Sequence, residues 1–391
     1  MQVKNLSDKE IESFVIDLIK ESVEKRVSDI HIQPEKTYAK IRMRIDGVLV
    51  DKLFLDLETY KKLLIKIKLL AGMDISEKRK PQDKGLKLDD FKDVDLRISS
   101  LATIDGEKIV IRILSLDQFR ENTKLLGFSI DSKARLEKVI SNKSGMVIFT
   151  GPTGSGKTTS LYYLLSQLNK EGVNIVTIED PVEYNIDNIN QISVNEKAGL
   201  TYANILRSVL RQDPDIIMIG EIRDRQTASI AIRAAITGHL VLTTLHCSNA
   251  MAAIARLKDL GVEDYLINSA ISLLASQRLV RKLCSCKIEG RMTDEEYNFI
   301  KAYIDVDREN KIYRPGSCEK CQGGFLGREA VEESILLDDD FRNIGRTFGL
   351  ASEELRQKLE KDGFKSMLVH GLRKVLDGIT TLDEVIKAVD L

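Results

Sequence analysis

The apolar positions change their period three times along the chain. Ile11, Phe14, Val15, Leu18, Ile19 and Val23 recur at helical spacing. IHI at 30–32 and AKIRMRIDGVLVDKLFL then alternate as half-buried strands do, with Asp46-Gly47 as a hairpin turn. LETYKKLLIKIKLLAGM predicts a helix ending near Gly72, and RISSLATIDGEKIVIRIL a second hairpin around Asp105-Gly106. These elements predict a small α+β domain over 1–115. Residues 116–128 have no clear period and read as a linker. From 129 short apolar runs (MVIFT, NIVTI, IIMI, HLVLTT) alternate with helical segments, the pattern of a parallel sheet covered on both faces. That core is expected over 129–282, a cysteine element over 283–328 and a helical C-terminal region over 329–391 (SEELRQKLEK, KSMLVHGLRKVLDG, TLDEVIKAV). The fold class expected is α/β.

Chemistry concentrates where the apolar runs end. MVIFT leads into Gly151, Pro152, Thr153, Gly154, Ser155, Gly156, Lys157, Thr158 and Thr159, which match G-x4-G-K-[ST] between a strand and a helix. Such a loop curls its backbone N–H groups around a phosphate, Lys157 neutralises charge and Thr158 can ligate Mg²⁺. NIVTI ends in Glu179-Asp180-Pro181-Val182-Glu183, and IIMI in Gly220-Glu221-Ile222-Arg223-Asp224. At the carboxyl ends of strands such acidic residues can orient water or hold a metal. Glu179 is expected to orient the attacking water and Glu221 to act in the metal shell, while Glu183 reads as structural. His239 and His246 flank HLVLTT, and His246 is the stronger candidate. Cys247 reads as a small buried thiol. Arg207 and Arg211 stand four apart on one helix face, and Arg97 and Arg112 lie in the last hairpin of the first domain. An arginine in such a place is most often solvated or salt-bridged, and the pattern by itself assigns these four no role.

Cys284 and Cys286, followed by Cys318 and Cys321, offer four thiolates in two pairs. This suits a tetrahedral Zn²⁺, although the first pair is C-x-C rather than C-x2-C. The alternative is four free thiols. Composition narrows the function. Lys plus Arg total 59 and Asp plus Glu 60, a net charge of -1, and there is no basic, aromatic-rich tract, which counts against a nucleic-acid partner. No stretch approaches the ~18 apolar residues of a spanning helix, and the polar start MQVKNLSDKEIESF has no signal-peptide core.

Taken together, these stretches resemble the ATPases of type II secretion and type IV pilus assembly. SDIHIQPEK, RKPQDKG, GPTGSGKTT, IEDPVEY, LRQDPDIIMIGEIRD, TGHLVLTTLHCSNA and CEKCQGGFLGR occur in that family's order. The resemblance covers nearly the whole chain and accounts for Gly220, since the family's Walker B has a Gly before its Glu. It implies a RecA-like core, ATP with Mg²⁺, a homo-hexamer, and a motor at the cytoplasmic face of the inner membrane acting on a platform protein. By position it implies that Arg97 and Arg112 reach the phosphates from the N-terminal domain and that Arg207 and Arg211 lie near the same site. It makes Glu179 the catalytic Glu, Glu221 the Walker B Glu, and His239 and His246 the His-box pair. The four cysteines favour assembly or secretion over a retraction motor of the same family; a DNA-transfer motor is the reading from another class. The long extra N-terminal domain of many assembly ATPases is expected to be absent, which puts docking through it in question.

Overall fold

The computed structural model describes residues 3–4, 6–116, 119, 127–350, 352–361 and 363–389. The chain divides into two compact units, Met1–Glu121 and Asn122–Leu391. Of the expected linker, only Leu116, Phe119, Gly127 and Phe128 fall among the described residues.

The first unit is a seven-stranded sheet carrying two helices. Its strands are β1 (Val3–Lys4), β2 (Val27–Pro34), β3 (Ala39–Ile45), β4 (Val48–Leu55), β5 (Gln82–Lys87), β6 (Val94–Thr103) and β7 (Gly106–Ser115), in the order β1-β4-β3-β2-β7-β6-β5. Alternation sends Ile30, Ile32, Ile41, Met43, Ile98, Ile109 and Ile111 to one face. There they pack with Ile11, Val15, Leu18 and Ile19 of α1 (Asp8–Glu24) and with Leu63 and Ile67 of α2 (Leu57–Leu70). Asp56 caps α2 by accepting from the Glu58 and Thr59 N–H groups. The other face is polar. On it Arg97 and Arg112 stand directly opposite each other in adjacent strands, and Arg112 Nε donates to Asp29 Oδ1 at 3.0 Å.

One ion pair is wholly interior. Lys68 (1% exposed) donates to Glu107 Oε1 at 2.8 Å and to the Glu77 carbonyl at 2.8 Å, and the Ser100 hydroxyl also donates to Glu107 Oε1. It ties α2 and the Glu77 turn to the β6–β7 hairpin.

The second unit is built on another seven-stranded sheet. Its strands are β8 (Gly145–Thr150), β9 (Ile175–Glu179), β10 (Asn190–Ser193), β11 (Ile216–Ile219), β12 (Leu240–Leu245), β13 (Ile271–Leu283) and β16 (Phe325–Leu336), ordered β10-β9-β11-β12-β8-β13-β16. All neighbours are parallel except β13 and β16. The expected runs therefore form strands, and every residue of β9, β11 and β12 is buried. This is the α/β class read from the sequence. A hairpin of β14 (Ile288–Arg291) and β15 (Lys311–Arg314) branches from the end of β13.

The C-terminal region departs from expectation. Residues 325–336 are not helical but form the edge strand β16. Its period is hidden because Glu329, Glu332 and Glu333 occupy interior positions. Each is satisfied. Glu329 pairs with Lys374 at 2.6 Å. Glu332 accepts from the Ser129 and Ser132 hydroxyls at 2.9 and 2.7 Å. Glu333 accepts the Ala250 N–H at 2.8 Å and the Met367 N–H at 3.1 Å, the first residues of the helices Ala250–Asp259 and Met367–Leu376. Helices then follow at Asp339–Phe348, Glu353–Lys361, Met367–Leu376 and Leu382–Val389. No helix among the described residues is long and apolar enough to cross a membrane.

Removing one partner of the interior pair strands the other charge. Glu107→Ala is expected to lower stability by about 3 kcal/mol. A denaturant melt of the full chain reads this as a lower midpoint for the first unit, and a midpoint equal to wild type contradicts the assignment.

Candidate active site

A parallel sheet presents all its carboxyl strand ends along one edge. Here β9, β11, β12 and β8 are consecutive neighbours, so the loops carrying Glu179, Glu221, His246 and Lys157 are brought side by side. The phosphate loop leaves β8 and enters the helix Lys157–Leu168, with Gly156 as its N-cap. Gly156 has φ +89°, and a Cβ there would stand 2.9 Å from the Gln277 amide nitrogen, so both backbone and space demand glycine. Thr158 and Thr159 sit in the first helical turn.

Lys157 is only 8% exposed, and its ammonium donates to the Gly151 and Pro152 carbonyls at 2.7 and 2.9 Å. Burial, reinforced by the charge of Arg278 and opposed by Glu221, lowers its pKa to about 8.

Glu179 ends β9 and is 4% exposed. Its carboxylate accepts from Tyr162 Oη at 2.5 Å, Thr177 Oγ1 at 2.6 Å and Gln191 Nε2 at 3.1 Å. Burial and the Glu179 charge push the Tyr162 hydroxyl well above the ordinary tyrosine range, so Tyr162 is a firm donor. Glu221 follows Gly220, where a Cβ would lie 3.1 Å from Tyr202 Oη and 3.3 Å from the Ile178 carbonyl. A side chain here would be tightly placed against these two oxygens. Glu221 accepts from Arg223 Nη2, and its Oε2 lies 3.3 Å from His246 Nε2. Burial pulls the Glu221 pKa upward, but the hydrogen bond and charge of Arg223, with His246 and Lys157, hold it below the usual carboxylate value. Arg223 Nη1 also stands 3.5 Å from Asp180 Oδ2. Thr244 fastens the two loops by donating to the Gly220 carbonyl at 2.7 Å.

Five sequence candidates do not join this cluster within the sheet edge. His239 precedes β12 and so stands at the amino edge of the sheet, roughly 20 Å of strand away from His246. Its Nδ1 is 3.0 Å from the Ala234 carbonyl, and its own carbonyl accepts from Gly145 N–H at the start of β8. The helix Tyr202–Val209 begins near Gly220 and runs back toward the amino edge. Arg207 and Arg211, at its far end, are exposed and bond to their own helix: Arg207 to Asn204 Oδ1 at 3.0 Å, and Arg211 to the Arg207 carbonyl at 2.7 Å. Arg97 and Arg112 belong to the first unit.

Three residues escaped the sequence reading. Arg223 bridges Asp180 and Glu221. Gln277 and Arg278, on β13, face the phosphate loop and the loop after His246 respectively. Gln277 Nε2 donates to the Ser155 carbonyl at 2.7 Å, and Arg278 Nη2 to the Ser248 carbonyl at 3.0 Å. The available signal was the run of polar residues Ser276, Gln277 and Arg278 inside a mostly apolar strand, ISLLASQRLV.

The cysteines form a second cluster. Their four sulfurs lie within 4.8 Å of one another. Cys284–Cys318 and Cys286–Cys321 are both 3.7 Å apart and Cys318–Cys321 3.6 Å. Four Zn–S bonds of ~2.3 Å at tetrahedral angles place sulfurs ~3.8 Å apart, so the donor set fits such an ion, C-x-C spacing included.

Residues 4–387 match the family described as Type II/IV secretion system protein. Over 377 residues the chain is 44% identical to the type II secretion system protein E of Xanthomonas campestris, covering 95% of this chain and 66% of that protein. It is 40% identical to the type IV pilus assembly ATPase PilB of Myxococcus xanthus, covering 94% and 66%. The chain thus spans just under two thirds of the length of these two relatives. The solved structure of the Legionella pneumophila ATPase DotB superimposes with a TM-score of 0.70 at 20% identity, over 98% of this chain and 96% of that one, and shares the RecA-like fold. The chain belongs to the type II/IV secretion system protein family.

Proposed function

We propose that this protein is an ATP-hydrolysing motor that works as a homo-hexamer at the cytoplasmic face of the inner membrane and drives type IV pilus assembly or type II secretion through a platform protein. The observation that carries the reading is the convergence of Lys157, Glu179, Glu221 and His246 on one sheet edge, in a chain related to proteins named for those two systems.

The roles follow from the surroundings of each residue. The loop 151–159 holds the phosphates through its N–H groups, and Lys157 exchanges its two carbonyl partners for phosphate oxygens. The Thr158 hydroxyl and Glu221 would hold Mg²⁺ directly or through water, and that ion would supply charge neutralisation at the β- and γ-phosphates. Glu179 is fixed by three hydrogen bonds and orients the attacking water. His246, half exposed beside Glu221, reads the γ-phosphate position. Arg97, Arg112, Arg207, Arg211 and His239 act across subunit boundaries in the hexamer. Cys284, Cys286, Cys318 and Cys321 hold a structural Zn²⁺.

Lys157→Ala is expected to abolish nucleotide binding, measured with a fluorescent ATP analogue. Glu179→Gln should retain binding and lose turnover by about 100-fold or more in a phosphate-release assay; turnover at the wild-type rate removes Glu179 from the mechanism. Turnover should rise on adding a cytoplasmic fragment of the platform protein, and a rise with DNA instead contradicts the motor assignment.

The Lys157 pKa gives a pH signature. In the free chain the amine loses its proton near pH 8, whereas bound phosphates keep it charged toward its ordinary ~10.4 or above. ATP binding at about pH 9 should therefore take up close to one proton, and at pH 6 none from this group. Calorimetry in buffers of different ionisation enthalpy measures the difference, which Lys157→Arg should remove.

Elemental analysis should find one zinc per chain in wild type and none in Cys318→Ser. A metal-free, fully folded wild type rejects the zinc site.

A further inference from the structure

We infer that Gln277 is a positioning residue of the nucleotide site: it holds one peptide of the phosphate loop so that its N–H points at the bound phosphate. The inference rests on the reading that residues 151–159 bind nucleotide phosphates.

Gln277 is 1% exposed and lies in the centre of β13, next to Ser276, which pairs with Thr150 at the mouth of the phosphate loop. Its side chain makes two hydrogen bonds. Nε2 donates to the Ser155 carbonyl at 2.7 Å, and Oε1 accepts from the Ser160 hydroxyl at 2.8 Å. The amide orientation is forced, because a carbonyl oxygen can only accept and the nitrogen must face Ser155.

The consequence lies in peptide geometry. The Ser155 carbonyl and the Gly156 N–H belong to the same planar trans peptide and point in opposite directions. Pulling the carbonyl toward β13 turns the Gly156 N–H away from the sheet, into the loop's concavity. Gly154 and Gly156 both take positive φ, +78° and +89°, where glycine gives the chain its greatest freedom. A loop of this softness would otherwise lose conformational entropy when phosphate binds; the amide from β13 removes that freedom beforehand. Ser160 completes the arrangement. It stands one turn into the helix that Lys157 opens, so Gln277 links the loop peptide to the helix whose N-terminus faces the phosphate. The neighbouring Arg278 uses the same strand to hold the Ser248 carbonyl, in the loop after His246.

Held in this way, the N–H contacts substrate and transition state alike. Removal should therefore weaken binding more than the chemical step, raising KM and leaving kcat nearly unchanged. A purely structural loss would instead lower the active fraction, reducing kcat at constant KM.

The experiment uses the full chain and four variants: Gln277→Leu, Gln277→Glu, Ser160→Ala and the Ser160→Ala/Gln277→Leu double variant. Nucleotide Kd, ATPase kcat and KM, and the melting temperature are measured for each. Gln277→Leu should raise Kd and KM about tenfold, with kcat within about twofold of wild type. Gln277→Glu should do at least as much, since its carboxylate repels the Ser155 carbonyl. Ser160→Ala should raise Kd about threefold and add nothing in the double variant, because both changes break one network. Wild-type Kd in folded Gln277→Leu, or a kcat loss at unchanged KM, overturns the inference. If Gln277→Leu does not fold, Ser160→Ala decides, and wild-type Kd there overturns it equally. Failure of the wild-type chain to bind ATP overturns the nucleotide reading and this inference together, which separates that failure from one confined to Gln277.

Discussion

The adjacent strands β9, β11, β12 and β8 are buried on both faces and carry no charge in their middles. In these strands charge is confined to the carboxyl edge, at Glu179 and in the loops beyond it, and each charged group there must find a partner while the strands below stay dry. Lys157 finds two carbonyls of its own loop, Glu179 three donors, and Glu221 an arginine and a histidine. These partners differ in what they leave available. Carbonyls are neutral and weak competitors for an ammonium, so phosphate oxygens displace them readily. The hydrogen bonds around Glu179 come from three elements, with the Tyr162 and Thr177 donors buried, and they fix the carboxylate rather than occupy it provisionally.

A similar balance governs the interior elsewhere. Glu329, Glu332 and Glu333 would be costly on an edge strand without compensation. Glu333 is compensated by two helix N-termini, each with unpaired N–H groups and positive potential. One carboxylate thus sets the start of the helix that follows the His246 loop and of a helix in the C-terminal region. Lys68 and Glu107 do comparable work in the first unit, joining a helix to a hairpin through an interior pair.

These compensations explain what could be read in advance. Apolar runs and Gly-containing turns declare themselves locally, and so β8, β9, β11, β12 and the hairpins were legible. The phosphate loop was legible because its geometry depends on its own glycines. The edge strand β16 was not, since its glutamates are neutralised by residues 30 or more positions away, such as Ser129, Ala250 and Met367. The histidine pair shows a different limit. Two residues flanking a strand look adjacent in sequence, yet the strand's length puts them at opposite edges of the sheet, so His246 joins Glu221 and His239 does not. Arg223 was hidden because its partners, Asp180 and Glu221, come together only when β9 and β11 pair.

The long strand β13 connects these features. It supplies the Gln277 amide to the phosphate loop, the Arg278 guanidinium to the His246 loop and Arg281 to Glu384 of the last helix at 2.7 Å, and the residue just past its end, Cys284, belongs to the sulfur cluster. Its antiparallel partner β16 returns from that cluster and carries the glutamates that anchor the remaining helices. The cysteine element and the C-terminal helices are therefore bonded to the same two strands that shape the nucleotide loops. β8 pairs with the first part of β13, Ile271 to Ser276, and β16 with Leu273 to Leu283, so one strand runs unbroken from the phosphate loop to the cysteine cluster. That continuity, rather than any sequence motif, makes the region after the core part of the unit that holds the site.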